Sequence, residues 1–316
     1  MTVASVTPIK PSDRAVAAGT PAPVRETRSD RIVMICNYTA LGLFTLAVLY
    51  PLIYVLSASF SDPKNVVSGK VWLWPVGLST DAFKAIFDYD SIVSGFGNSV
   101  VYAIGGALLA TALTLLAAYP LSRKGLPGKG VIMALFVFTM MFSGGLIPTY
   151  LVVDRLGLMN SRWAIILPGA LAVWNMIITR TFFQATIPEE LVEAAKVDGC
   201  TDFGFFWRIV LPLSKPIIAV NLLFYAVAQW NSWFSALIYL TNEHLFPLQL
   251  VLRQILIQNN FDPSQVRDTA ELIRMTELQQ QLKYSLIVIA TIPPLLIYPF
   301  VQKHFVKGAM VGSLKG

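Results

Sequence analysis

The sequence predicts an all-α membrane protein with six transmembrane helices, and three observations lead there. The chain of 316 residues is 55% hydrophobic and 13% charged, about half the charged share of an ordinary soluble domain. Its apolar residues gather into six runs, at 36–57, 96–120, 131–153, 163–183, 212–240 and 284–301, each close to the roughly twenty residues that cross about 30 Å of hydrocarbon. Basic residues crowd alternate connections. The tightest, 122–130, holds Arg123, Lys124 and Lys129 and no acid. In a membrane chain the net charge of +6 reports orientation and gives no sign of nucleic acid.

Residues 1–30 are rich in Pro, Ala, Ser, Thr and Arg, with too little to bury, and are expected to be a disordered cytoplasmic tail. The apolar run that follows is too long, and its leader too extended, for a removed signal, so 31–95 reads as a retained first span plus an extracytoplasmic loop. Trp72 and Trp74 in that loop suit the membrane–water boundary, where an amphipathic ring is at home. The third run is interrupted at Ser143-Gly144-Gly145 and Pro148. Such breaks are tolerated at membrane depth where the backbone is packed in protein or lines a cavity. Gly105-Gly106 suits close helix packing. Residues 241–282 read as a long polar outer segment, helical from 264 to 281. Charge placement puts both termini, and the loop around Glu193, on the cytoplasmic side.

That loop, 186–212, is the most structured connection in the sequence. Thr186-Ile187-Pro188-Glu189 fits an N-cap threonine, a proline in the first turn and a capping-box glutamate. Leu191, Ala194 and Ala195 form a small apolar stripe, and Gly199 is placed to end the helix in a left-handed conformation. Phe203, Phe206, Trp207 and Val210 then share a face at helical spacing. Pro212 lacks the N–H to continue a helix, so the next span is expected to start there. A short helix with an alanine stripe suits a groove on another protein; an amphipathic helix resting on lipid is the other reading.

The spans hold almost no ionisable residue. Arg180, near one end of its run, is long enough to reach water. Proton- and ion-coupled transporters need titrating groups inside the bundle, so that class is disfavoured, as is a channel lined by charged rings. No catalytic set and no metal site is expected: neither His244 nor His304 forms a metal-ligand spacing with Cys or carboxylate, and the two cysteines, Cys36 and Cys200, form neither a disulfide framework nor a thiolate site. Gly125-Leu-Pro-Gly-Lys-Gly130 is not a phosphate-binding loop. The chain is therefore expected to be no enzyme, and any ATP chemistry belongs to another chain. Uncharged polar and aromatic residues remain for a solute path: Trp174 and Asn175, and the run Gln229, Trp230, Asn231, Ser232, Trp233. Amides and indoles suit a sugar; they suit helix-to-helix hydrogen bonding and an interfacial aromatic belt equally.

Glu193-Ala194-Ala195, then Gly199, then Ile209-x-Leu211-Pro212 resembles the EAA loop of ABC-importer permeases with every spacing intact; Cys200 stands where that family often has alanine. From about Asn98-Ser99 onward, roughly two-thirds of the chain is similar to the carbohydrate-uptake group, MalG-like and LplC/YtcP-like. The landmarks are Gly145-Leu-Ile-Pro-Thr-Tyr150, Leu156-Gly-Leu158, Pro188-Glu-Glu-Leu191, Pro247-Leu248-Gln249 and the C-terminal Gln302-Lys-His-Phe-Val-Lys-Gly308. The resemblance implies the type I ABC importer (MetI-like) permease fold, with a core at 96–302 and a cytoplasmic tail at 303–316. It implies that Glu193, Ala194, Ala195, Asp198, Gly199, Ile209, Leu211 and Pro212 form the coupling loop, with Glu193 and Gly199 transmitting force. The implied assembly, in the bacterial cytoplasmic membrane and its lipid, contains a sister permease, an ATPase dimer that holds ATP and Mg, and an extracytoplasmic solute-binding protein. The implied solute is a sugar, oligo- or polysaccharide-derived; a non-sugar solute such as a peptide is the alternative. The absence of acids in the spans speaks against a polyamine, and the broken spans against a purely structural protein.

Overall fold

The computed structural model describes residues 27–257, 281–297 and 299. Of the tail expected to be disordered at 1–30, residues 1–26 lie outside the described residues, as do most of the helix at 264–281 and the C-terminal segment 303–316; Thr27 to Asp30 are instead ordered as the capped start of the first helix, which corrects the tail's boundary. Within them the chain is helical, apart from loops and one isolated β-bridge between Ser61 and Leu78. It divides at Pro51 into two units.

The first unit is the body of α1 (Arg28–Ser59). A capping box starts it: Thr27 Oγ1 accepts from the Asp30 N–H at 3.2 Å, and the Asp30 carboxylate accepts from the Thr27 N–H at 2.9 Å and its hydroxyl at 2.7 Å. The unit's large side chains, Ile32, Leu43, Phe44 and Leu46 among them, are exposed. A helix that is apolar on every side belongs in lipid or against another apolar chain.

In the second unit, α2 (Pro63–Val67) and α3 (Asp81–Asp88) precede the 33-residue α4 (Asp90–Ser122). Around α4 are arranged α5 (Lys129–Met141), α6 (Leu146–Arg155), α7 (Trp163–Ile166), α8 (Val173–Thr186), α9 (Glu189–Val197), α10 (Asp202–Phe205), α11 (Leu211–Leu213), α12 (Lys215–Trp230), α13 (Phe234–Tyr239), α14 (Leu248–Ile257) and α15 (Gln281–Ile297). The buried face of α4 is made of small residues, Gly95, Ser99, Ala103, Gly106, Ala107, Ala110, Thr114 and Ala118, which lets neighbouring backbones approach closely. A Cβ on Gly106 would lie 2.8 Å from Gln229 Cγ of α12, so the close-packing reading of that glycine holds. Two apolar cores sit at opposite ends of α4. One joins Ile92 and Tyr102 to Trp230, Tyr239, Leu248 and Leu286; the other joins Leu115, Ala118 and Leu121 to Phe183, Val192, Phe205 and Val210.

Among the described residues each of the six apolar runs is built mainly of helix, with different joints. α1 and α4 are long and apolar enough to cross a membrane unbroken. α5 and α6 meet at 113°, across the predicted break at Gly145, whose φ of +84° is closed to most L side chains. The fourth run is interrupted between α7 and α8. In the fifth, the segment Asp202–Leu213 meets α12 at 79°. Here the expected start is corrected: Pro212 lies inside α11, and the new helix begins at Lys215 with Pro216 in its first turn. A proline there has no N–H to lose, since first-turn donors are unpaired anyway.

The polar outer segment also needs correcting. α14 is apolar, with Leu248, Leu250 and Val251 buried, and it crosses the N-terminal half of α4. Asn98 Nδ2 donates to the carbonyls of His244 (2.7 Å) and Phe246 (3.2 Å), Tyr102 donates to Leu245 O (2.8 Å), and the Leu248 N–H donates to Ser99 Oγ (2.8 Å). Two motifs nearly 150 residues apart in sequence, Asn98-Ser99 and Pro247-Leu248, thus form one joint.

Candidate functional site

The loop at 186–212 sits at the C-terminal end of α4. α8 runs through Thr186, because the Ile187 N–H still donates to Phe183 O at 3.0 Å. Pro188 is therefore the N-cap of α9, without a side-chain cap. Thr186 is not the cap, and the predicted capping box is absent. Glu189 and Glu190 occupy the first turn, at the positive end of the helix dipole. The helix closes as expected. The Gly199 N–H donates to Lys196 O (3.0 Å) and the Cys200 N–H to Ala195 O (2.9 Å), the paired bonds of a Schellman cap, with Gly199 at φ +72°.

The alanine stripe divides. Val192 and Ala195 are buried against Phe183, Ile187, Phe205 and Phe206. Glu190, Glu193, Ala194 and Val197 face outward, and Val197 is 88% exposed. Asp198 and Gly199 are exposed beside them. The second helix divides too, because it is not regular. Phe206–Val210 is a π turn, closed by the Leu211 N–H on Phe206 O and placed just before Pro212, where an ordinary ladder would clash. The wider turn sends Phe206 and Val210 inward, leaves Ile209 and Leu211 half-buried beside them and leaves Phe203 and Trp207 exposed, edge to face at 5.9 Å. The expected four-residue face is thus split.

Arg180, expected from the sequence to reach water, and Gln184, both on α8 just before this loop, tie that helix to the C-terminal end of α4, and Lys129 of α5 caps the same end. Arg180 Nε donates to Leu121 O (2.9 Å), Gln184 Nε2 reaches Ser122 O (3.5 Å), and Lys129 Nζ donates to Arg123 O (3.1 Å). Cations at the carbonyl end of a helix complement its dipole. Burial first, then the neighbouring Arg180 and Arg123, hold the Lys129 ammonium below the usual lysine range, with Glu189 opposing.

The predicted solute-path residues are not one cluster. Trp230 is buried in the α4 end-core: its Nε1 donates to Ala290 O of α15 (3.0 Å) and its ring meets Phe96 edge to face. Gln229 is packed on Gly106. Asn231 is exposed and donates to Val227 O at 2.9 Å, closing α12. Asn175 is buried on α8, beside the Asn221 Nδ2 to Thr179 Oγ1 bond of 2.7 Å. Trp174 and Trp233 are exposed, and the Arg253 guanidinium of α14 lies 4.5 Å above the Trp233 ring. Among the described residues no three His, Cys, Asp or Glu side chains converge as a metal ion requires.

Bent apolar helices around a small-residue spine, with a short capped helix presented at one end, make a helical bundle suited to a membrane. The chain belongs to the family of binding-protein-dependent transport system inner membrane components, whose family model matches residues 110–311. It is 40% identical over 293 residues to Protein LplC of Bacillus subtilis (strain 168), covering 93% of this chain and 98% of that one. It is 46% identical over 287 residues to the polygalacturonan/rhamnogalacturonan transport system permease protein YtcP of the same organism, covering 91% and 99%. Among solved structures, a bacterial ABC transporter involved in the import of the acidic polysaccharide alginate contains a chain that is 32% identical, with a TM-score of 0.81, covering 89% of this chain and 99% of that one. The protein is an integral bacterial membrane protein and the permease component of an ABC importer.

Proposed function

We propose that this permease passes a sugar, oligo- or polysaccharide-derived, into the cytoplasm on ATP hydrolysed by a separate subunit. The observation that carries the sugar is near full-length similarity to YtcP and to a chain of the alginate importer. The exposed face of α9, Glu190, Glu193, Ala194 and Val197, is the surface that docks on the ATPase, with Gly199 setting its end. A pull on α9 passes through Val192 and Ala195 to Phe183 of α8, and from α8 through the Arg180 bond into α4. The assembly comprises this chain, a sister permease, an ATPase dimer carrying ATP and Mg, and an extracytoplasmic binding protein. Both termini and α9 face the cytoplasm, as the basic loop at Arg123 and Lys129 suggests. The exposed Trp174, Asn231 and Trp233 border the solute path, and the buried Asn175, Gln229 and Trp230 hold its wall.

The test is purification from native membranes in mild detergent, followed by uptake of labelled oligosaccharides into vesicles. A nucleotide-binding ATPase, a second EAA-containing permease and a solute-binding protein should co-purify, and a saccharide should enter with ATP inside. Recovery of the chain without an ATPase, even after crosslinking, would remove the docking role.

A further inference from the structure

Arg253 is the only charged residue of α14, LQLVLRQILI, a helix otherwise built to pack against α4. Its guanidinium is stacked 4.5 Å from the centre of the Trp233 ring. Among the described residues it makes no ion pair; the salt bridge found there joins Lys84 and Asp81 at 3.8 Å. Trp233 remains 36% exposed. The pair also lies at the far end of α4 from the α9 loop. α14 meets Gly95 and Ser99, whereas the loop packs on Leu115 to Leu121. On the orientation proposed above, that is the side from which solute arrives.

A guanidinium seated over an indole face has lost much of its freedom, and its N–H donors can be offered together to a planar, doubly accepting anion. A carboxylate is that anion. The indole edge beside it, and the exposed amide of Asn231 two residues earlier, suit the apolar faces and hydroxyls of a sugar ring. We propose that Trp233 and Arg253 form a subsite for the carboxylate of a sugar acid, so that the solute is an acidic rather than a neutral saccharide. This rests on the sugar-import reading and narrows it.

The experiment measures equilibrium binding to the assembled importer in nanodiscs, with the extracytoplasmic binding protein left out. The probes are labelled galacturonate and mannuronate trimers and their methyl esters. The wild type should bind one acid at least about tenfold tighter than its ester, the scale of one charge-assisted bidentate contact. Arg253→Gln should erase the preference, and Arg253→Lys, which keeps the charge without the fork, should retain part of it. A general folding defect would weaken acid and ester alike and leave their ratio intact. No preference in the wild type, no binding of either form, or a ratio unchanged in Arg253→Gln would overturn the subsite. Uptake by the same preparation with its binding protein restored separates the two readings. Import of a saccharide without acid preference sinks the subsite alone, whereas failure to import any saccharide sinks sugar transport itself.

Discussion

Gly199 is constrained by its backbone and not by its neighbours: its φ is +72° and an added Cβ would meet nothing within 4 Å. Substitution there is consequently a test of conformation alone. Gly199→Val places a β-branched residue in the left-handed region, at a cost of about 1–2 kcal/mol, and should reopen the Schellman cap; uptake should fall about tenfold or more with membrane abundance unchanged. Gly199→Asn, which tolerates that region, should keep uptake within about twofold of wild type. Normal uptake by the valine variant would remove the force-transmitting role. At Asp30, the Thr27 hydroxyl first, and then its backbone N–H, hold the carboxyl below the usual aspartate range. A lowered folded-state value stabilises the cap above the ordinary aspartate pKa and loses that contribution as pH falls through the folded one. Protection of the first-turn amides of α1, measured against the intrinsic exchange rate at each pH, should therefore fall on acidification, and Asp30→Asn should make that protection nearly pH-independent.

At the level of elements, the contact between α8 and the end of α4 is the one to break. Arg180→Met strands Leu121 O and removes a charge-assisted bond worth roughly 1.5–3 kcal/mol. Coupling should suffer more than assembly, with ATPase activity retained by the purified complex while solute uptake drops, measured side by side. Gly106→Ile drives a branched side chain into Gln229, and the melting temperature of the detergent-purified complex should fall by several degrees, an overpacking effect of about 1–3 kcal/mol. This scale also shows what sequence pattern can and cannot convey. The break at Gly145 and the end of α9 at Gly199 were legible because glycine is the residue such backbone requires. The inward turn of Phe206 but not Phe203 was not legible, since counting at 3.6 residues per turn has no place for a π turn. α14 is hard to read because Gln249, Arg253 and Gln254 make its stretch look polar; its apolar positions Leu248, Val251, Leu252 and Ile255 at helical spacing are the available signal. Trp230 was noticed for its chemistry, yet its partner Ala290 O lies 60 residues away, and nothing local announces such a pair.

For the whole molecule, topology is the open prediction. With Cys36 and Cys200 replaced, a cysteine at Lys124 should react with an impermeant maleimide only in inside-out vesicles, and one at Lys70 only in intact cells. The reverse pattern would invert the orientation. The fold class itself was legible from composition and run length, because the bilayer sets the length of what crosses it.

One further consequence concerns α4. Gly106 stands at its midpoint, and the contact with Gln229 there is tighter than any side chain would permit. About 24 Å of rod extends on each side of that point, one arm ending in the core shared with the α9 loop and the other in the core shared with α14. A stiff rod bearing on a fulcrum at its centre behaves as a see-saw: an inward displacement of a few ångströms at one end becomes an outward one of similar size at the other. Widening that one contact, as Gly106→Ala would, should therefore be felt at both ends of the rod, in the packing of α9 and of α14 alike.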